Sequence, residues 1–176
     1  MSLILNPERQ AVVRVAEFMC IAARTAPKGC GIDNLVTAIV SEEADRQQLA
    51  EGMRQFGQQV NAPFFLRDAQ NVLDADAVVI LGTRLQRFNI PGCNFCGYEG
   101  CAANEQAGAR CSFNLNDLGI ALGSAASIAA DHRVDCRIMY TIGRAALAMG
   151  LLGPDVYVAH GIPLAARGKN IFFDRK

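Results

Sequence analysis

Ala77-Val78-Val79-Ile80-Leu81 is an uninterrupted apolar run, and its reading decides the fold. A strand with one wet face alternates apolar and polar residues, whereas a strand covered on both faces does not. Five apolar residues in a row, β-branched at the centre, predict a strand buried between two layers. Working outward, further apolar runs of strand length stand at 35–40, 118–122 and 156–159, the last ended by Gly161 and Pro163. Helical patterns lie between them. Asn6-Pro7 opens one, with Val12, Val13, Ala16, Met19, Cys20 and Ala23 on a single face through about Arg24. Pro27, Gly29 and Gly31 break that pattern into a loop. Ser41-Glu42-Glu43 opens a second helix that reaches about Gln59, its acidic residues favourably placed in the first turn. A third is expected from about Asp135 to Met149, with Ile138, Ile142, Ala145, Ala146 and Met149 in step, stopped by Gly150 and Gly153-Pro154. Strands alternating with long helices predict an α/β or α+β fold, a β-sheet flanked by helices.

A chain of 176 residues suits one domain, residues 1–176, with a sizeable core. Lys plus Arg and Asp plus Glu number 17 each, so no charge excess argues for nucleic acid or an anionic membrane as partner. Hydrophobic residues reach 51%, yet no apolar run approaches the length of a membrane span. Seven cysteines without a secretion signal lead us to expect a reducing, cytoplasmic setting.

Four of those cysteines fall in one stretch, embedded at 91–111. It runs Pro91-Gly92-Cys93-Asn94-Phe95-Cys96-Gly97-Tyr98-Glu99-Gly100-Cys101, and Cys111 closes it. Four thiolates together suit a metal centre, because soft sulfur ligands select iron–sulfur clusters, zinc or copper(I). A zinc ribbon presents two separated C-x2-C knuckles. Here three of the four ligands crowd at one end, which suits a loop wrapped round a [4Fe–4S] cubane whose irons each take one cysteine. Gly92, Gly97 and Gly100 permit the positive φ angles of such a wrap. Zinc remains the competing reading. Disulfides fit less well, given an odd cysteine count.

The stretch from Pro91 to Cys101 resembles the iron–sulfur motif of corrinoid iron–sulfur proteins and of the B subunit of Rnf electron-transport complexes. That resemblance implies a [4Fe–4S] cluster on Cys93, Cys96, Cys101 and Cys111, although Asn94 replaces the motif's first glycine and the last gap is shorter. Two other stretches resemble the flavin-dependent nitroreductases. Ala22-Ala23-Arg24-Thr25-Ala26-Pro27-Lys28-Gly29 is similar to that family's first-helix end. The helix from Cys136 to Met149, the Gly150-Leu151-Leu152 turn and Gly161-Ile162-Pro163 are similar to its C-terminal half. Taken with the cysteine motif, the chain resembles a group of proteins described as containing a ferredoxin domain (DUF2148-like).

The nitroreductase resemblance implies a mixed sheet flanked by helices, an FMN at a homodimer interface, and reduction of small molecules driven by a pyridine nucleotide. A redox partner protein is the other partner expected. The family's N-terminal Arg-Arg-Ser segment has no counterpart here, and Lys28 stands where the family places serine. Arg24, Lys28, Arg167 and Lys169, in or beside loops, are the candidates for a flavin phosphate. The function expected is an iron–sulfur oxidoreductase; the alternatives are a non-enzymatic carrier or redox sensor, or a protein stapled by zinc.

Among other reactive residues, His132 lies in a polar break and is expected at the surface. His160 stands at a strand end beside Gly161, where functional groups often project. Cys30 sits in the loop after the first helix, and Cys136 is expected to begin a helix, where the dipole can favour a thiolate. No nucleophile elbow, Walker loop or dinucleotide-binding glycine fingerprint is present, so the pattern does not resemble a hydrolase or kinase.

Overall fold

In the computed structural model, residues 1 and 3–173 are described. The chain runs α1 (Glu8–Thr25), β1 (Leu35–Val40), α2 (Glu43–Gln59), α3 (Phe64–Asp74), β2 (Ala77–Arg84), α4 (Gly100–Gln106), α5 (Ser112–Asp131), β3 (Asp135–Cys136), α6 (Tyr140–Ala148) and β4 (Val156–Ala165). The four strands form one sheet in the order β1-β2-β4-β3. Every pairing is antiparallel, where the nitroreductase resemblance implied a mixed sheet.

The apolar run at 77–81 has the expected environment. Ala77, Val79 and Leu81 point into one core with Val12, Met19, Leu118 and Ala125 of α1 and α5. Val78 and Ile80 point into a second core with Leu49, Met53, Val72 and Ile142 of α2, α3 and α6. The antiparallel sheet is thus covered on both faces, which is why β2 shows no alternation.

Three expectations are corrected. Leu118–Leu122 is not a strand; it lies within the 20-residue α5. The buried side of that helix carries Asn114, Asp117, Leu118, Ala121, Leu122, Ala125 and Ala129, a spacing of three and four. Apolar and small residues also line its other sides, so a five-residue window there cannot distinguish helix from strand. The helix expected from Asp135 begins only at Tyr140. Before it, Asp135 and Cys136 pair with Ala165 and Leu164 as β3, and Met139 exchanges backbone hydrogen bonds with Gly161.

The third correction is at β4, which continues through Gly161 and Pro163 to Ala165. Gly161 is needed there because a Cβ would fall 2.1 Å from the Ile142 side chain of α6. Residues 161 and 163 turn their backbone groups away from β2, and the β3 segment is unpaired opposite 163, so proline's missing N–H breaks no ladder bond. The Gly150 stop holds: with φ 71° it closes α6, Leu151 N–H donating to the Ala146 carbonyl at 3.0 Å. Helices α3 and α4 have no counterpart in the sequence expectations.

Candidate metal centre

After Arg84 the chain leaves the sheet and crosses to α5 in one excursion, and that excursion carries the thiols. Cys93 and Cys96 lie in tight turns: Cys93 N–H donates to the Ile90 carbonyl at 3.1 Å, and Gly97 N–H to the Asn94 carbonyl at 2.7 Å. Gly92, Gly97 and Gly100 adopt φ of 70°, 82° and 79°, the left-handed geometry the glycines were expected to supply. Cys101 sits in the first turn of α4, and Cys111 is the residue on which α5 begins. The positive end of the α5 dipole is therefore directed at this spot, where negative charge is favoured.

All four thiols line one narrow pocket of about 10 Å³, with Phe95, Phe113, Arg87 and Asn104 among its other walls. Cys111 is buried and the other three are half-buried. The thiols are themselves the walls, so their side-chain rotamers set how wide the pocket stands. Among the described residues, no three His, Cys, Asp or Glu side chains converge closely enough to hold a single metal ion. The donor set nevertheless fits an iron–sulfur cluster. A cubane takes one thiolate per iron, so its ligands stand further apart than the four that share one zinc.

Residues that the sequence did not single out hold this excursion in shape. Arg87 Nε donates to the Asn104 carboxamide oxygen at 2.9 Å, and one of its terminal nitrogens to the Ala109 carbonyl at 3.1 Å. Asn104, only 1% exposed, donates in turn to the Arg110 carbonyl at 3.0 Å. Phe113 packs against Phe88 and Phe95 with ring centroids 5.5 and 5.2 Å apart. Gly29 packs against these rings from outside the pocket: a Cβ there would lie 2.6 Å from Phe88, and its N–H donates to both Asp117 carboxylate oxygens at 3.1 Å. No sequence signal marks Arg87 or Asn104, since a charged residue in a loop reads as solvated.

The four basic candidates do not meet within one chain. Arg24 binds Asp33 and the Leu35 carbonyl at 2.7 and 2.8 Å, near the start of β1. Lys28 spends its three donors on the carbonyls of Ala23, Arg24 and Ala26, closing the end of α1. Leu35 pairs with Thr83, so this pair lies at the far end of β2. Arg167 is at the other end, bound to both oxygens of Asp76 at 2.7 and 2.8 Å, and Lys169 is exposed two residues later.

Of the remaining reactive residues, His132 is exposed and stacked 5.9 Å from Phe18. His160 is half-buried with Nδ1 unpartnered among the described residues, and burial pushes its pKa down. Cys30 is exposed on its turn and does not line the pocket. Cys136 does not begin a helix; it lies in β3, where burial, and then Asp135, push its thiol up. Cys20 is likewise raised, chiefly by burial.

Residues 107–175 match the family described as "Uncharacterized protein containing a ferredoxin domain (DUF2148)". An uncharacterized protein of Archaeoglobus fulgidus is 36% identical, over 96% of this chain and 94% of its own length. Among solved structures, a BluB-like flavoprotein of Clostridium difficile superposes with a TM-score of 0.62 at 13% identity, covering 100% of this chain and 87% of that one. An oxidoreductase containing FMN gives 0.60 at 12% identity, covering 96% and 70%. Nitroreductase A of Vibrio parahaemolyticus gives 0.55 at 14% identity, covering 97% and 63%. At these identities the likeness shows the fold, which is nitroreductase-like.

Proposed function

This chain belongs to the family described as containing a ferredoxin domain, and on that premise we propose that it is an iron–sulfur oxidoreductase. In this reading Cys93, Cys96, Cys101 and Cys111 hold a [4Fe–4S] cluster that works with a flavin or a small-molecule acceptor. The observation that carries it is the gathering of all four motif thiols around one pocket. When bound, such a cluster supplies one-electron transfer.

The chain's own residues do the rest. The thiolates ligate, and the glycine turns at 92, 97 and 100 bring them round without side chains in the way. The Arg87 guanidinium, ion-paired with Glu105 at 3.4 Å, ties α4 to the following turn and would stand beside a cluster held by these thiolates. Half-exposure of Cys93, Cys96 and Cys101 leaves the site near solvent, within reach of a partner.

An FMN is proposed as second cofactor, in keeping with the flavoproteins that share the fold. Arg24 and Lys28 stand at one end of β2 and Arg167 at the other, so within one chain a flavin phosphate would engage one group or the other, and would have to displace the carboxylate or carbonyl partners those groups hold here. A homodimer is proposed through the outer side of α5, where Leu115 and Ile120 are 43% and 40% exposed and nothing stands within 4 Å of Cβ positions at Gly119 and Gly123.

Anaerobic purification with iron, zinc, sulfide and flavin analysis tests the proposal. About four irons per chain, with absorbance that dithionite bleaches, is the expected result. One zinc and no colour after anaerobic preparation would overturn it. A full cluster without flavin would leave an electron carrier rather than a flavin-coupled enzyme.

A further inference from the structure

Arg110, the residue immediately before Cys111, opens onto a second groove on the side of α6 and the start of β4. This groove has a volume of about 390 Å³, within the range of small-molecule sites. Its polar walls are Arg110, Tyr140, Arg144 and Tyr157, and it has no carboxylate among its lining residues. Neither arginine makes an ion pair among the described residues. Arg144 lies over the Phe56 ring, 4.6 Å from its centroid, so its charge is positioned yet uncancelled. Arg24, Arg84 and Arg167 are matched by Asp33, Asp155 and Asp76. Arg14 and Arg133, also exposed, make no ion pair among the described residues, so what sets Arg110 and Arg144 apart is that they share one groove.

Tyr157 is the second independent sign. Thr83 pairs with Val158 and Arg84 with Val156, so Tyr157 is the extra residue of a β-bulge. Bulges re-aim a side chain and gather beside functional sites. Here the bulged residue is 49% exposed, and Tyr140, also on the groove, is 56% exposed. Two unmatched guanidiniums beside two open aromatic faces are the elements that bind phosphate and stack a heterocycle.

We propose that this groove binds the nucleoside diphosphate moiety of a ligand, phosphates on Arg110 and Arg144 and the base against Tyr157. Its place, one residue from a cluster ligand, is where an electron donor carrying such a moiety would dock; that role rests on the oxidoreductase reading, whereas the binding itself does not.

The test is calorimetric titration of the full-length protein with ADP, which is redox-inert, with adenosine and inorganic phosphate as separate arms. Saturable ADP binding is expected, weakened about tenfold or more by Arg110→Gln and by Arg144→Gln. Tyr157→Ala should weaken it at least about fivefold. No ADP binding, or unchanged binding by both arginine variants with native circular dichroism, would overturn the proposal. Inorganic phosphate binding as tightly as ADP would remove the nucleotide assignment. Iron analysis of the same samples reads the cluster separately: ADP binding without iron keeps the groove and sinks the oxidoreductase reading, and iron without ADP binding does the reverse.

Discussion

The two ends of β2 are built on opposite rules. Where the strand begins, charge is closed off: Asp76, 5% exposed, accepts two hydrogen bonds from Arg167 and one from the Ala166 N–H. Arg46, 4% exposed, gives its guanidinium to the carbonyls of Ser41 and Asp76. Where the strand ends, the chain leaves the sheet for a glycine-rich excursion of half-buried thiols, three packed phenylalanines and an arginine groove. The first end pins the sheet to its helices. The second spends little on the core and presents chemistry. The contrast teaches that stability and function are separable along a single strand, and variants at the two ends should therefore fail in different ways.

The largest expected effect is at the thiol end. Cys96→Ser should abolish bound iron while far-ultraviolet circular dichroism stays native, because the excursion contributes few residues to either core. Retention of full iron by this variant would remove Cys96 as a ligand. At the other end, Asp76→Asn should lower unfolding free energy by about 2 kcal/mol, read as a shift in urea midpoint, with iron content unchanged. The half-exposed partner Arg167 keeps the loss below that of a fully buried pair.

Arg87→Leu sharpens the comparison from the thiol side. It leaves the buried Asn104 carboxamide oxygen without its donor, so iron should be stripped by a chelator faster than from the parent while the urea midpoint moves by about 1 kcal/mol. Equal stripping rates would show that the Arg87 bonds do not hold the site. The thiols themselves give a smaller, kinetic contrast. In metal-free protein a thiol reagent should modify Cys20 and Cys136 more slowly than the exposed Cys30, because burial pushes both thiols up.

The smallest effect is that of His160. Burial lowers its folded pKa, so the unfolded chain takes up the proton first as pH falls. Stability from this group is whole above the ordinary histidine value of about 6.5 and declines as pH drops through that value toward the folded one. His160→Gln should flatten this decline when urea midpoints at pH 7.5 and 5.5 are compared.

Much of the fold was legible from composition and spacing. The run at 77–81 reads as doubly buried because no polar residue interrupts it. Helix α1 reads as a helix because its apolar residues recur at helical spacing, and α2 because Ser41-Glu42-Glu43 opens it with acidic residues in the first turn. Helix α5 was not legible at 118–122, since apolar and small residues surround it and both periods match. Helix α4 was hidden among glycines and cysteines, and β3 within a pattern whose spacing suited a helix.

By itself the sequence determined which residues could ligate a cluster, for thiols in one short loop are a local property, and it determined that β2 must be covered twice. Only the tertiary structure decided that Arg24 and Lys28 stand apart from Arg167, that Arg87 and Asn104 brace the thiols, and that Arg110 and Arg144 share a groove with Tyr157. These relations join residues distant in the chain, and they arise from antiparallel register, a bulge and the close approach of α6 to β4. No local pattern encodes such distances; packing does.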